Sequence, residues 1–158
     1  AKLGLSNVQL VRPTRQRLTA VDPDDMLHRF DTDACCNLRK REPLKRALAP
    51  FDAWITGRKR FQNSLRAELE EIEQDDDGKM KVNPLARWTA TDIAAYLDRH
   101  ALPRHPLVAQ GYPSIGCEPC TSRVADGEDP RAGRWRGSDK TECGIHYVEG
   151  QFIGGGGI

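Results

Sequence analysis

The chain has 158 residues, 38% of them hydrophobic, a size that fits one domain with a moderate core. Its 24 lysines and arginines nearly balance 23 aspartates and glutamates, so no global field draws it to nucleic acid or to a membrane, and any anion site must be local. No apolar run approaches the roughly 20 residues that span a bilayer, and no charged-then-apolar leader stands at the start. These features point to the cytoplasm, where five cysteines read as metal ligands or catalytic thiols and not as a disulfide framework.

In chain order, Ala1-Lys2-Leu3-Gly4-Leu5 reads as the end of a helix running into a strand, and the expected strand is Val8-Gln9-Leu10-Val11, ended by Arg12-Pro13. A loop with Asp22-Pro23-Asp24-Asp25 follows. Asp33 is the expected N-cap of a helix that would place Cys35 and Cys36 in its first turn, where the helix dipole favours thiolate. That helix is expected to stop near Glu42, with Pro43 opening a new short helix through Leu44, Ala47 and Leu48. Ala53-Trp54-Ile55-Thr56 reads as a second strand, released by Gly57 into the basic loop Arg58-Lys59-Arg60. Phe61, Leu65, Leu69 and Ile72 recur at helical spacing and predict an amphipathic helix. Asp75-Asp76-Asp77-Gly78 is a solvated turn, and Lys79 to Pro84 returns as an extended piece. Thr89-Ala90-Thr91-Asp92 has the pattern of a capping box, opening a helix through Ile93, Tyr96, Leu97 and His100 that Pro103 and Pro106 end. Beyond Gly111, glycine, proline and arginine dominate around the cysteines, and Gly154-Gly155-Gly156-Gly157 is expected to be mobile.

Strands alternating with helices predict an α/β layer fold with a parallel sheet. Only two or three strands are in hand, so the expectation is that an N-terminal part of the sheet is missing. Residues 1–110 then form a partial nucleotide-binding α/β domain, and residues 111–158 an irregular segment of the same domain.

The chemistry concentrates in the cysteines. Cys117-Glu118-Pro119-Cys120 offers two sulfurs to one metal centre from a turn that Pro119 partly pre-sets, and Cys35-Cys36 supplies two more. Adjacent cysteines on a helix diverge by about 100°, which suits a bulky iron–sulfur cluster better than one small ion, although four sulfurs also satisfy zinc. Cys143 is left over. Flanked by Glu142 and Gly144 in polar sequence, it reads as an exposed, reactive thiol. Arg131, Arg134 and Arg136 upstream, together with Lys40, suit phosphate or sulfate oxygens and would hold a nearby thiol as thiolate. His146 is either a donor to an anion or a surface histidine.

Taken in order, Cys35-Cys36 with Arg39-Lys40, Thr56-Gly57 with its basic loop, Asn83-Pro84-Leu85 with Trp88, Cys117-Glu118-Pro119-Cys120 and Glu142-Cys143-Gly144-Ile145-His146 form a specific set. Together they resemble the C-terminal two-thirds of bacterial assimilatory adenylyl-sulfate (APS) reductases. That resemblance implies an adenine-nucleotide α-hydrolase-like, Rossmann-like parallel sheet flanked by helices. It also implies a 4Fe-4S cluster on Cys35, Cys36, Cys117 and Cys120, with Lys40 between cluster and substrate. Gly57 and Arg66 would contact nucleotide and phosphosulfate, Arg131 and Arg134 would grip the phosphosulfate, and His146 shares the motif of the nucleophile Cys143. The implied reaction, in sulfate assimilation toward cysteine biosynthesis, is reduction of adenylyl sulfate to sulfite and AMP through S-sulfocysteine, with thioredoxin as a separate reductant.

Two rival readings stand beside it. Phosphoadenylyl-sulfate (PAPS) reductases share the final cysteine motif but typically lack the two cysteine pairs, so the pairs favour APS. A zinc-stabilised binding module, with Cys143 incidental, is the non-catalytic alternative. The serine- and glycine-rich phosphate loop of the family's N-terminal segment is absent from this sequence, the tail after His146 runs past the usual family ending, and oligomeric state is left open.

Overall fold

The computed structural model describes residues 4–75, 77–143, 145, 147, 148, 151 and 152. The chain divides into two units, Ala1–Phe51 with Cys143–Tyr147, and Asp52–Glu142 with Val148–Ile158.

The first unit is helical. Helix α1 (Arg15–Val21) starts where the Thr14 hydroxyl accepts from the Arg17 amide at 3.2 Å. The buried Asp22 carboxylate then accepts from the Met26 and Leu27 amides, each at 2.9 Å, and fixes the start of α2 (Leu27–Phe30). Helix α3 (Thr32–Cys36) is capped by Asp31 and not by the expected Asp33. Only Asp31 lies one residue outside the helix, where its carboxylate can accept from Asp33 and Ala34 at 3.0 and 2.8 Å. The two cysteines therefore close α3 and do not open it.

Nor does the helical path stop near Glu42. It widens into a π-helical turn, Asn37–Arg41, and continues as α4 (Glu42–Leu48), with buried Pro43 in the first turn of α4. A proline ring clashes with the carbonyl four residues back and brings no N–H, so the wider turn just ahead of Pro43 relieves a conflict that a regular α-helix would impose. A two-point pair from Arg17 to Glu42, at 3.0 and 2.7 Å, ties α1 to α4. Leu38 is fully buried. The strand expected at Val8-Gln9-Leu10-Val11 is not present. Val8 and Leu10 are 74% and 75% exposed, and no described residue pairs with them; β-branched composition makes a strand only when a ladder is available to satisfy its backbone.

The second unit carries a three-stranded mixed sheet of the α/β class. Strands β1 (Ala53–Ile55), β2 (Ile72–Gln74) and β3 (Met80–Val82) lie in the order β1-β3-β2, with β1 parallel and β2 antiparallel to β3. The first and third were expected. The second falls where the sequence spacing predicts a helix. Of Phe61, Leu65, Leu69 and Ile72 only Leu69 is buried, the backbone at Asn63 is fully extended, and two short 3-10 turns, Arg60–Gln62 and Ser64–Arg66, replace the helix. The spacing was apolar enough for one helical face, but the buried side chain that anchors this stretch is Arg66, and Ile72 joins the ladder opposite Val82.

The register sets Trp54, Lys81 and Glu73 in one row across the sheet. The hairpin between β2 and β3 turns on Gly78 at φ 76°, with the Gly78 amide donating to the Asp75 carbonyl at 2.9 Å. Asp75 is also the acceptor of the Trp54 indole N–H, at 2.9 Å, so part of the acidic run is structural. Helix α5 (Ala90–Arg99) opens with the expected capping box, Thr89 accepting from the Asp92 amide and Asp92 from the Thr89 amide. The remainder is loop held by short local contacts, among them an antiparallel bridge between Thr121 and Arg134.

Candidate functional site

In the first unit the helical run presents Cys36 and, four residues later, Lys40 on neighbouring positions of one face. Cys143 meets both. The Lys40 ammonium donates to the Cys143 Sγ at 3.1 Å. A hydrogen bond from the Cys36 thiol, another from the Ile145 amide and the Lys40 charge together outweigh burial and hold the Cys143 thiol down at about 5. A pKa lowered in this way favours the thiolate, the nucleophilic form of a cysteine. His146 lies outside the described residues.

The second unit gathers arginines around a carboxylate. Glu142 is 1% exposed. Its Oε2 accepts from Arg66 Nε at 2.7 Å and from Asn63 Nδ2 at 3.1 Å, with Arg66 Nη2 at 2.6 Å, and its Oε1 lies 3.6 Å from an Arg131 nitrogen. Arg131 also donates to the Thr141 carbonyl at 3.1 Å. Beside this group, buried Arg58 pairs with Glu73 and donates to Asn83 Oδ1 at 3.3 and 3.2 Å, and Lys81 lies 4.9 Å from the centre of the Trp54 ring. Burial, then the neighbouring Arg58 charge, pushes the Lys81 ammonium down to about 8. Burial lowers Arg66 as well, opposed by Glu142. Arg58, Arg66, Lys81 and Arg131 set against Glu73 and Glu142 leave a positive excess in a mostly buried setting, which favours an anion.

Of the other candidate residues, Gly57 receives the Lys59 ammonium on its carbonyl at 2.7 Å. Arg134 stacks 4.3 Å from the Trp135 ring centre and donates to the Ile115 carbonyl at 3.2 Å. It packs so close to Gly116 that a side chain there would push the Arg134 guanidinium aside. The turn that follows is tied by the Cys120 amide and the Thr121 hydroxyl, both donating to the Cys117 carbonyl at 3.0 and 2.8 Å. Sequence reasoning did not assign the buried partners Arg58, Glu73, Lys81 and Glu142 to the site. Arg58 carried a signal in the basic loop after Gly57, and Glu142 in its place beside Cys143.

All five cysteines stand outside disulfides. As soft donors Cys35, Cys36, Cys117 and Cys120 are right in kind for an iron–sulfur cluster, and the two pairs fall in different units. Among the described residues no three His, Cys, Asp or Glu side chains gather closely enough to hold a metal ion. The donor set matches in chemistry. No helix among the described residues is long and apolar enough to cross a membrane.

A thiol of lowered pKa in one unit and a buried arginine group in the other are each features that enzymes of anionic substrates use. The comparisons narrow this. The model of the phosphoadenosine phosphosulfate reductase domain matches residues 1–123, and the chain belongs to that family. It is 55% identical over 146 residues to an adenosine 5'-phosphosulfate reductase of Mesorhizobium japonicum, covering 92% of this chain and 57% of the relative. It is 51% identical over 125 residues to a phosphoadenosine 5'-phosphosulfate reductase of Gloeobacter violaceus, covering 77% and 52%. Among solved structures, the phosphoadenylyl-sulfate reductase of Candida auris in its phosphate complex matches with a TM-score of 0.55 at 30% identity, over 75% of this chain and 54% of that one. The chain therefore spans somewhat more than half the length of the relatives it matches.

Proposed function

We propose that the chain works as an adenylyl-sulfate reductase, reducing APS to sulfite and AMP with thioredoxin as a separate cytoplasmic reductant. The observation that carries this reading is the Cys143 thiol, held at about 5 with the Lys40 ammonium 3.1 Å away. In the proposed reaction the Cys143 thiolate attacks the sulfur of the sulfate group and the bond from that sulfur to the bridging oxygen breaks. AMP leaves with the electron pair, and Cys143 carries the sulfonate. Arg66 and Arg131 would offset charge on the phosphosulfate as it builds on the leaving oxygen. A thioredoxin thiolate then attacks the Cys143 sulfur, sulfite leaves, and the second thioredoxin thiol resolves the mixed disulfide. Sulfate sulfur is reduced by two electrons, and thioredoxin is oxidised to its disulfide.

Lys40 would hold the thiolate and screen its approach to an anion. Arg134 and Gly57 are proposed as further substrate contacts, and His146 as a donor near the nucleophile. Residues 111–158 would then bring one cysteine pair and the nucleophile to the α/β part. The two cysteine pairs are proposed as ligands of a 4Fe-4S cluster, which when bound would add a fixed local charge and join the pairs. No step above passes through it. A Cys36 sulfur bound to iron could not donate to Cys143, leaving Lys40 and Ile145 to hold the thiolate.

The test is sulfite release from APS with reduced thioredoxin, which Cys143→Ser should abolish. The relative from Gloeobacter violaceus and the Candida auris structure, both reductases of the 3'-phosphorylated nucleotide by name, keep PAPS as a second reading of the substrate. Competition between APS and PAPS separates the two.

A further inference from the structure

We infer that Glu142 occupies the anion site in the ligand-free chain, its carboxylate standing where a substrate anion would be held by Arg66 and Arg131. The inference rests on the proposed anion-binding role of those two arginines. Glu142 is almost completely buried, yet it lies in a loop and not in the sheet, so no ladder or helix dictates its inward position. The contacts described for it are electrostatic. Arg66 reaches Oε2 with two nitrogens at 2.7 and 2.6 Å, Asn63 donates to the same oxygen at 3.1 Å, and Arg131 lies 3.6 Å from Oε1. A planar carboxylate gripped by a guanidinium fork presents the oxygens that a phosphate or sulfate would present.

The charge balance carries the argument further. One carboxylate faces two arginines, and Arg58, paired with Glu73, adds its own attraction to the Glu142 carboxylate while repelling Arg66. A phosphosulfate brings more negative charge than Glu142 and can replace it, while the bare arginines are never left buried without a counter-charge. Glu142 thus lowers the affinity of the site and keeps it formed. The site then distinguishes anions that can displace a carboxylate from those that cannot.

The experiment is calorimetric titration of the full chain with adenosine 5'-diphosphate, whose second phosphate stands in for the sulfate and cannot be reduced. Glu142→Gln keeps the shape and the oxygen that accepts from Arg66 and Asn63 but removes the competing charge. It should bind the probe about tenfold tighter, a gain that lost structure cannot produce. Arg131→Ala should bind it about tenfold more weakly. Glu142→Asp, which retains the charge on a shorter arm, should fall between wild type and Glu142→Gln, and it supplies the comparison if Glu142→Gln does not fold. Unchanged or weaker binding by the Glu142 variants, with binding still lost in Arg131→Ala, overturns the inference and leaves the anion role of the arginines intact. Unchanged binding in all three overturns both.

Discussion

Cys143 and Glu142 are neighbours in sequence and belong to groups built on opposite principles. Around Cys143 a single ammonium, one thiol and one amide act on one polarizable sulfur. Around Glu142 several buried charges compensate one another, and each is costly to leave alone. Removing a member of the first group should change reactivity and spare the fold. Removing a member of the second should cost stability as well as change what the site binds. That contrast explains why one site residue can be tuned by a single lysine, whereas the arginines tolerate little.

The largest effect should come from Arg66→Ala, which leaves the Glu142 carboxylate buried without its fork. Chemical denaturation should show a loss of about 3–5 kcal/mol, and a loss under about 1 kcal/mol, the level of a surface pair, would dissolve the contrast. Lys40→Met should leave the denaturation midpoint nearly unchanged. Without the ammonium the Cys143 pKa rises, less thiolate is present, and alkylation of Cys143 at pH 6 should slow about tenfold, followed by peptide mass spectrometry. Equal rates would mean that Lys40 does not hold the thiolate.

A smaller effect sharpens the second group. The Lys81 ammonium sits at about 8 in the folded chain against 10.5 as the ordinary value, so between those pH values the unfolded chain binds more protons and stability rises with pH. The strain of the buried charge is fully present below about 8. Denaturation at pH 8 and pH 10 should show this rise in wild type and not in Lys81→Met. A rise of the same size in Lys81→Met would assign it to other groups.

What could be read from the sequence follows the range of the interactions. The capping box of Thr89 and Asp92 closes within four residues, so its pattern was complete on inspection. The turn at Gly78 and strands β1 and β3 were likewise local. Val8 to Val11 has strand composition, but a strand depends on a partner that composition cannot supply. The stretch from Phe61 to Ile72 shows helical spacing and is overruled by Arg66, whose partner Glu142 lies 76 residues away. The same distance hid most of the anion group, in which Arg131 was named as a residue suited to phosphate or sulfate oxygens and Arg66 by resemblance. Cys36 and Lys40 were each named in advance for separate roles, and the helical run brings these positions, four apart, to one face. Their meeting with Cys143, 103 residues from Lys40, was not legible.

The most direct test of the central claim needs no reductant. The purified chain is incubated anaerobically with APS, and each cysteine peptide is weighed for a sulfonate adduct while released AMP is counted. The expected result is an adduct on Cys143 alone, formed in step with AMP and discharged as sulfite when reduced thioredoxin is added. A folded chain that consumes APS with no adduct on Cys143, or that does so equally as Cys143→Ser, would contradict the assignment of Cys143 as the nucleophile.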